Sequence, residues 1–197
     1  FILSSVSILI SVAFYTMLER KILSYIQIRK GPNKVGFVGL LQPFSDAIKL
    51  FNKNLITSEM MNPSITYSTP AMSLLLSIMI IPIIPFNYHS TLDNKHSILV
   101  FFILSTLSVY SILMIGWSAN SKYSHLGSIR SIAQMISYEV SFFLIILFIV
   151  IMSNSFLLTQ ISESQVLLYF FWGNTLLFII WMMSCLAELN RSPFDFA

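Results

Sequence analysis

The chain reads as an all-α integral membrane protein: a polytopic transmembrane helix bundle with five spans and one interfacial amphipathic helix. Three observations predict this class. Hydrophobic residues make up 56% of the chain and charged residues 10%, with a mean hydropathy of +0.80, far from the balance of a soluble domain. Uncharged runs at 1–18, 65–90, 97–121, 131–162 (interrupted once, by Glu139) and 164–187 each approach the ~20 residues a helix needs to cross a hydrocarbon core of ~30 Å. The basic residues also segregate. With five alternating spans, Arg20, Lys21, Arg29, Lys30, Lys34, Lys49, Lys53, Lys122, Arg130 and Arg191 share one face, and Lys95 alone lies on the other. The net charge of +3 is thus a topological signal, with no call for a nucleic-acid partner.

Taken in order, the first span covers approximately 1–20. It begins inside an apolar run without an initiator Met and lacks the cationic start and small-residue cleavage site of a signal peptide. The chain stops just after a polar turn. A single membrane domain over 1–197, truncated at both ends, is therefore expected. Seventeen Phe and ten Met suggest an AT-rich, organelle-like coding bias.

Glu19-Arg20-Lys21 closes the first span, where long charged side chains can reach the interface. Arg29-Lys30-Gly31-Pro32-Asn33 then forms a basic turn. The segment 40–53 has helical periodicity: Leu41, Phe44, Ile48 and Phe51 make an apolar stripe, and Gln42, Asp46, Lys49 and Lys53 a polar one. Too short to span, it is expected to lie in the interface plane, with Asp46 and Lys49 able to pair at i, i+3. A gate, a docking element and a membrane float are all compatible with that pattern.

The second span, approximately 67–88, carries Pro70, suited to a helix start, and Pro82 and Pro85, suited to a kink or an end. The third covers 97–117 and turns through Gly116-Trp117-Ser118-Ala119-Asn120-Ser121-Lys122-Tyr123, with two aromatic residues fit for an interfacial belt. The fourth covers 128–152. On it Arg130, Gln134, Ser137 and Ser141 form a polar stripe, and Glu139 lies off that stripe among Met135, Ile136, Phe142 and Phe143. The fifth covers 165–187 and runs out into Glu188, Arg191 and Asp195.

Glu139 is the most informative residue. An ionisable group at bilayer depth costs ~2.5–3.5 kcal/mol on insertion scales and marks an ion path or proton relay by default; the plainer alternative is a protonated acid acting as helix glue. Glu19, Asp46, Glu188 and Asp195 belong to the basic face above it, so a chain of acids from surface to midplane is conceivable in sequence. Other chemistry lacks support. Cys185 is the sole cysteine, which excludes an internal disulfide, a Cys-based zinc site and an iron–sulfur cluster held by this chain. His89, His96 and His125 have no metal-ligand spacing, and there is no GxGxxG or Walker A loop. No catalytic, cofactor-binding or metal residue is assigned, and any redox cofactor belongs to partners.

Five ordered motifs carry a resemblance: ERKILSYIQIRKGPN at 19–33, GLLQPFSDAIKL at 39–50, GWSANSKY at 116–123, AQMISYEV at 133–140 and AELNRSPFD at 187–195. From end to end the chain resembles the chain 1 membrane subunits of NADH:ubiquinone oxidoreductase, respiratory complex I, and looks most like a mitochondrially encoded insect-type member. The resemblance implies a multi-pass protein of the mitochondrial inner membrane, with basic loops on the matrix side and the other peripheral-arm and membrane-arm subunits as partners. Ubiquinone would be the substrate, with NAD, FMN and iron–sulfur clusters in those partners. Glu19, Arg20, Arg29, Asp46, Lys49 and Arg191 would belong to the quinone chamber or its entrance, and Glu139, Glu188 and Asp195 to an acidic path coupling quinone reduction to proton pumping, with Arg191 and Asp195 at the junction. One departure stands out: Asn54 follows Lys53 where the family usually has Glu. The alternatives are the related membrane subunit of an energy-converting hydrogenase, a secondary ion transporter, which predicts an inverted repeat not visible here, and a plain membrane anchor, which leaves Glu139 unexplained.

Overall fold

A computed structural model describes residues 2–54, 60–86, 90–192 and 194–195. Helices form throughout, in two compact units, Phe1–Ile56 and Thr57–Ala197. His89, and residues 87–88 at the end of the expected second span, lie outside the described residues.

The first unit holds α1 (Ile2–Ile26), a 3-10 turn (Phe37–Gly39) and α2 (Gln42–Phe51). Helix α1 runs about two turns beyond the expected boundary near residue 20, because no helix breaker intervenes and Glu19-Arg20-Lys21 is tolerated near its exposed end. It ends at Ile28, whose φ of 58° allows Ile28 N–H to donate to Tyr25 O at 3.0 Å and Arg29 N–H to Ser24 O at 2.7 Å. This is a Schellman-type closure of the helix end, here on a β-branched residue that rarely takes a left-handed conformation. The loop then folds back tightly: a Cβ on Gly39 would strike the Pro32 carbonyl, and Gly39 has a φ of 84°. Helix α2 covers 42–51 of the segment 40–53 expected to form the amphipathic helix. Its Phe44 ring meets Phe14 of α1 edge-on at 6.0 Å, while Ile48 and Phe51 remain exposed.

The second unit holds α3 (Pro63–Ile80) with a 3-10 extension (Ile81–Ile83), α4 (Ser97–Ser118), α5 (Lys122–Ser153), α6 (Leu158–Ser164), α7 (Phe170–Gly173) and α8 (Thr175–Glu188). Helix α4 packs against both α3 and α5, and α8 packs against α5. The proline reading needs one correction. Pro63 starts α3, and Pro70 sits inside it. Pro70 has no N–H for the carbonyl of Thr66, and the Thr69 hydroxyl donates to that oxygen instead, at 3.3 Å.

Helix α5 starts earlier than the expected residue 128, because Ser121 caps it: its Oγ accepts from Ser124 N–H at 3.2 Å. The fifth expected span is shorter than 165–187. Asn174, at φ −133° and ψ 55°, separates α7 from α8, and a Gly-Asn pair favours such a break. The 14 residues of α8 make a rod of about 21 Å. Among the described residues, four helices are long and apolar enough to cross a membrane: α1, α3 with its extension, α4 and α5.

Two kinds of packing hold the second unit. Ile98, Phe102, Phe142, Val150 and Ile161 form a buried cluster, in which the Phe102 ring lies 4.9 Å from Phe143 and 5.7 Å from Phe142. Nearer the α4–α5 turn the contact relies on small residues: Ser118, Ser128 and Ser131 are buried, and Gly116 lies so close to α5 that a Cβ there would overlap the Ser128 side chain. Such residues let helix backbones approach closely in a membrane. Gly116→Ala should cost about 1–3 kcal/mol as overpacking. We expect less assembled protein on native gels, and recovery when Ser128→Gly removes the opposing side chain; a Gly116→Ala chain that assembles normally would refute the close approach.

Candidate functional site

In the second unit the site forms where α4, α5 and α8 meet. Glu139 lies 17 residues into α5, about 26 Å from its start and close to the middle of a 32-residue helix. It is half-buried, and its Oε1 accepts from the Ser105 hydroxyl of α4 at 3.3 Å. Phe142 and Phe143 follow it at helical spacing, so the acid borders the aromatic cluster. From α8, Glu188 is close enough for the two carboxyl groups to interact electrostatically.

The end of α8 positions the rest. Asn190, at φ 48°, closes the helix: its N–H donates to Ala187 O at 3.3 Å and Arg191 N–H to Leu186 O at 3.4 Å. Gln134 of α5 then reaches across, its Nε2 donating to Ala187 O at 2.8 Å and to Phe194 O at 3.0 Å. The Phe194 ring packs against Tyr138 at 5.8 Å, tilted by 54°. The segment that carries Arg191 and Asp195 is thereby fixed to α5. Because Gln134 is level with Ala187, Glu139 lies about 7 Å further along α5 than that clamp, roughly one and a half turns deeper. Glu139, Glu188 and the segment of Arg191 and Asp195 thus come together, with Asp195 exposed and Arg191 engaged in contacts.

In the first unit, Asp46 binds Arg20 rather than Lys49. The Arg20 Nη1 donates to Asp46 Oδ2 at 2.8 Å, and Gln42 Nε2 donates to the other carboxylate oxygen at 3.0 Å. The planar guanidinium of α1 faces the carboxylate across the helix pair and forms a charge-assisted bond, which leaves Lys49 to act through its charge alone. Arg20 holds the Asp46 carboxyl below its ordinary range, with Gln42 adding to the effect. Glu19 makes contacts within its surroundings, and Arg29 is exposed in the loop after α1. Glu19, Arg20, Arg29, Asp46 and Lys49 lie in a different compact unit from Glu139 and Glu188.

Sequence reasoning passed over two residues. Ser105 shows no sign in the sequence of facing Glu139, 34 positions away. Gln134 was placed on a polar stripe, but a clamp on backbone carbonyls near residues 187 and 194 leaves no local pattern. Among the described residues no group of three or more His, Cys, Asp or Glu side chains is placed to hold a metal ion. A crevice of about 210 Å³ opens between the end of α5 and α7–α8, lined by Phe148, Phe171, Phe178 and Trp181, with Gln165 and Asn174 among its polar residues. It lies toward the other end of α5 from the Gln134 clamp.

Two outcomes follow from this geometry. Gln134→Ala should release the 191–195 segment and cost about 1–3 kcal/mol through the two lost bonds, read as faster proteolysis after Arg191 in membranes. Protection equal to that of the unchanged chain would count against the clamp. For Asp46, the depressed carboxyl makes the α1–α2 contact fully present above the ordinary carboxylate pKa of 3.8 and lost only as pH falls through the lowered value. The distance between spin labels at Leu18 and Ile48 should therefore hold from neutral pH down to that range and lengthen only in stronger acid. In Asp46→Asn it should show no acid step.

The family model described as NADH dehydrogenase matches residues 1–197. The chain is 47% identical over 197 residues to NADH-ubiquinone oxidoreductase chain 1 of Locusta migratoria, covering all of this chain and 62% of that protein. It is 46% identical over 190 residues to the protein of the same name from Paracentrotus lividus, covering 96% of this chain and 58% of the other. With that of Aedes aegypti it shares 45% identity over 192 residues, 98% of this chain and 61% of the relative. The chain spans about three fifths of the length of the curated relatives it matches. An all-helical membrane architecture and a family match over every residue lead to one conclusion: the chain belongs to the NADH dehydrogenase family whose members include the chain 1 subunits of NADH-ubiquinone oxidoreductase.

Proposed function

We propose that this chain is part of the core membrane subunit of a proton-translocating NADH:ubiquinone oxidoreductase, shaping quinone access and carrying part of the acidic path that couples quinone reduction to proton movement. The observation that carries the reading is Glu139: an acid midway along α5, bonded across the helix interface by a neutral hydroxyl and facing a second acid, Glu188. An ionisable side chain at that depth is costly, and a neutral partner leaves it free to take up and release a proton. The relatives' names supply the reaction, and the acids supply a role within it.

The roles divide by position. Glu139, Glu188 and Asp195 form the proton path, stepping from the middle of α5 to the end of α8 and the segment clamped by Gln134. Glu19, Arg20, Arg29, Asp46, Lys49 and Arg191 line the quinone chamber or its entrance, with the Arg20–Asp46 pair fixing the amphipathic helix to α1. NAD, FMN and iron–sulfur clusters reside in partner subunits, ubiquinone is the substrate, and this chain holds no redox centre. The setting is the mitochondrial inner membrane, with the basic loops on the matrix side.

Glu139→Gln in the assembled complex tests the reading, because it keeps the shape and removes the titratable proton. Proton-coupled NADH:ubiquinone activity should fall on the order of 10²-fold, within the usual contribution of general acid–base groups. NADH oxidation by a water-soluble artificial acceptor should persist, showing that the peripheral arm is assembled. Undiminished proton translocation in this variant would refute the role of Glu139.

A further inference from the structure

Ser105 differs from four buried serines of the helix pair, Ser111, Ser118, Ser128 and Ser131. Ser111 and Ser118 on α4, and Ser128 and Ser131 on α5, each donate to a carbonyl three residues back, at 2.6–3.0 Å, and so satisfy themselves within their own helix. Ser105 does this too, donating to Phe102 O at 2.8 Å, but its oxygen also lies 3.3 Å from Glu139 Oε1. Among the described residues it makes the one side chain–side chain hydrogen bond between α4 and α5.

We propose that Ser105 is a positioning residue for Glu139, a hydroxyl rotor that holds the acid in one place in both of its protonation states. This rests on the reading of Glu139 as a proton carrier. A serine hydroxyl has one hydrogen to donate and two lone pairs to accept with. With Glu139 protonated, the acid donates its O–H to Ser105 Oγ, and the serine donates to the Phe102 carbonyl. With Glu139 ionised, the serine hydrogen swings to the carboxylate.

The Phe102 carbonyl, inside α4, keeps its backbone bond in either case, so the swing leaves no polar group unmet. The serine proton never leaves its oxygen; only the proton of Glu139 is exchanged with the path. The buried Phe102 and Phe142 rings wall this side, so the hydroxyl is the partner at hand. Glu188 is the titratable group near Glu139 on α8, whereas Ser105 supplies a hydroxyl from α4.

The test uses the assembled complex with Ser105→Ala, Ser105→Thr and Ser105→Cys, beside Glu139→Gln. Redox-induced infrared difference spectra identify the Glu139 carboxyl stretch as the band missing in Glu139→Gln. In Ser105→Ala that band should move to higher wavenumber as its hydrogen bond is lost. Proton-coupled quinone reduction should fall about 10-fold, as expected for a lost bond to a charged group, with the quinone KM and artificial-acceptor activity unchanged. Ser105→Thr, which retains a hydroxyl, should restore band and rate; Ser105→Cys, nearly isosteric with a weak donor, should fall between.

If Ser105→Ala leaves both unchanged while Glu139→Gln is inactive, the rotor is wrong and the proton-carrier reading survives. If Ser105→Thr is as impaired as Ser105→Ala, the effect is one of packing and the rotor is again wrong. If Glu139→Gln pumps normally, the carrier reading itself falls and takes the rotor with it.

Discussion

Backbone polar groups at membrane depth must find their partners inside the protein, and that constraint organises the second unit. Among the described residues the buried polar side chains there are Ser and Thr, residues small enough to let helices touch and able to return their hydroxyls to their own helix. Thr69 applies the same device to the carbonyl that Pro70 leaves open. Once the hydroxyls are self-satisfied, α4 and α5 can close to the distance at which Gly116 meets Ser128. The same packing that brings these backbones together sets Ser105 opposite Glu139.

Helix ends do the remaining positioning. Asn120 and Asn154 take left-handed conformations after α4 and α5, as Asn190 does after α8. Asparagine accepts that region more readily than most residues. The α8 closure turns the chain back toward α5, where Gln134 receives it. At the opposite end Ser97 accepts from Leu158 N–H at 3.0 Å and donates to the Phe156 carbonyl at 3.3 Å, tying the start of α4 to the segment after α5. The acid therefore sits on a hairpin fastened at both ends.

Much of this was legible in the sequence, for identifiable reasons. Hydropathy finds helices because a bilayer imposes one length on them, and Glu139 stands out because charge is so rare inside them. The amphipathic stripe of 40–53 was readable because helical period is local. What escaped was non-local or governed by competition. Asp46 has Lys49 three residues away and still binds Arg20, 26 positions back. The interruption at Asn174 lies inside an uncharged run, where hydropathy registers no change. Pro70 looked like a boundary because the compensating hydroxyl of Thr69 matters only once the helix exists. Ser105 is one of several serines on α4, and only packing distinguishes it.

Asp46 and Glu139 show how environment divides one chemical group between two jobs. Asp46 faces the Arg20 guanidinium, which can only donate, and receives a second bond from the Gln42 NH2 group, so both bonds serve the ionised form. A carboxylate so held is an anchor: it fixes α2 to α1 and keeps its charge across the physiological range. Glu139 faces a hydroxyl, which donates to a carboxylate and accepts from a carboxylic acid equally well. Its position is therefore independent of its charge. That is what a proton carrier between packed helices requires, since an acid that lost its partner on each exchange would have to move or leave a buried group unmet. An arginine in place of Ser105 would bind Glu139 more tightly and stop it from working.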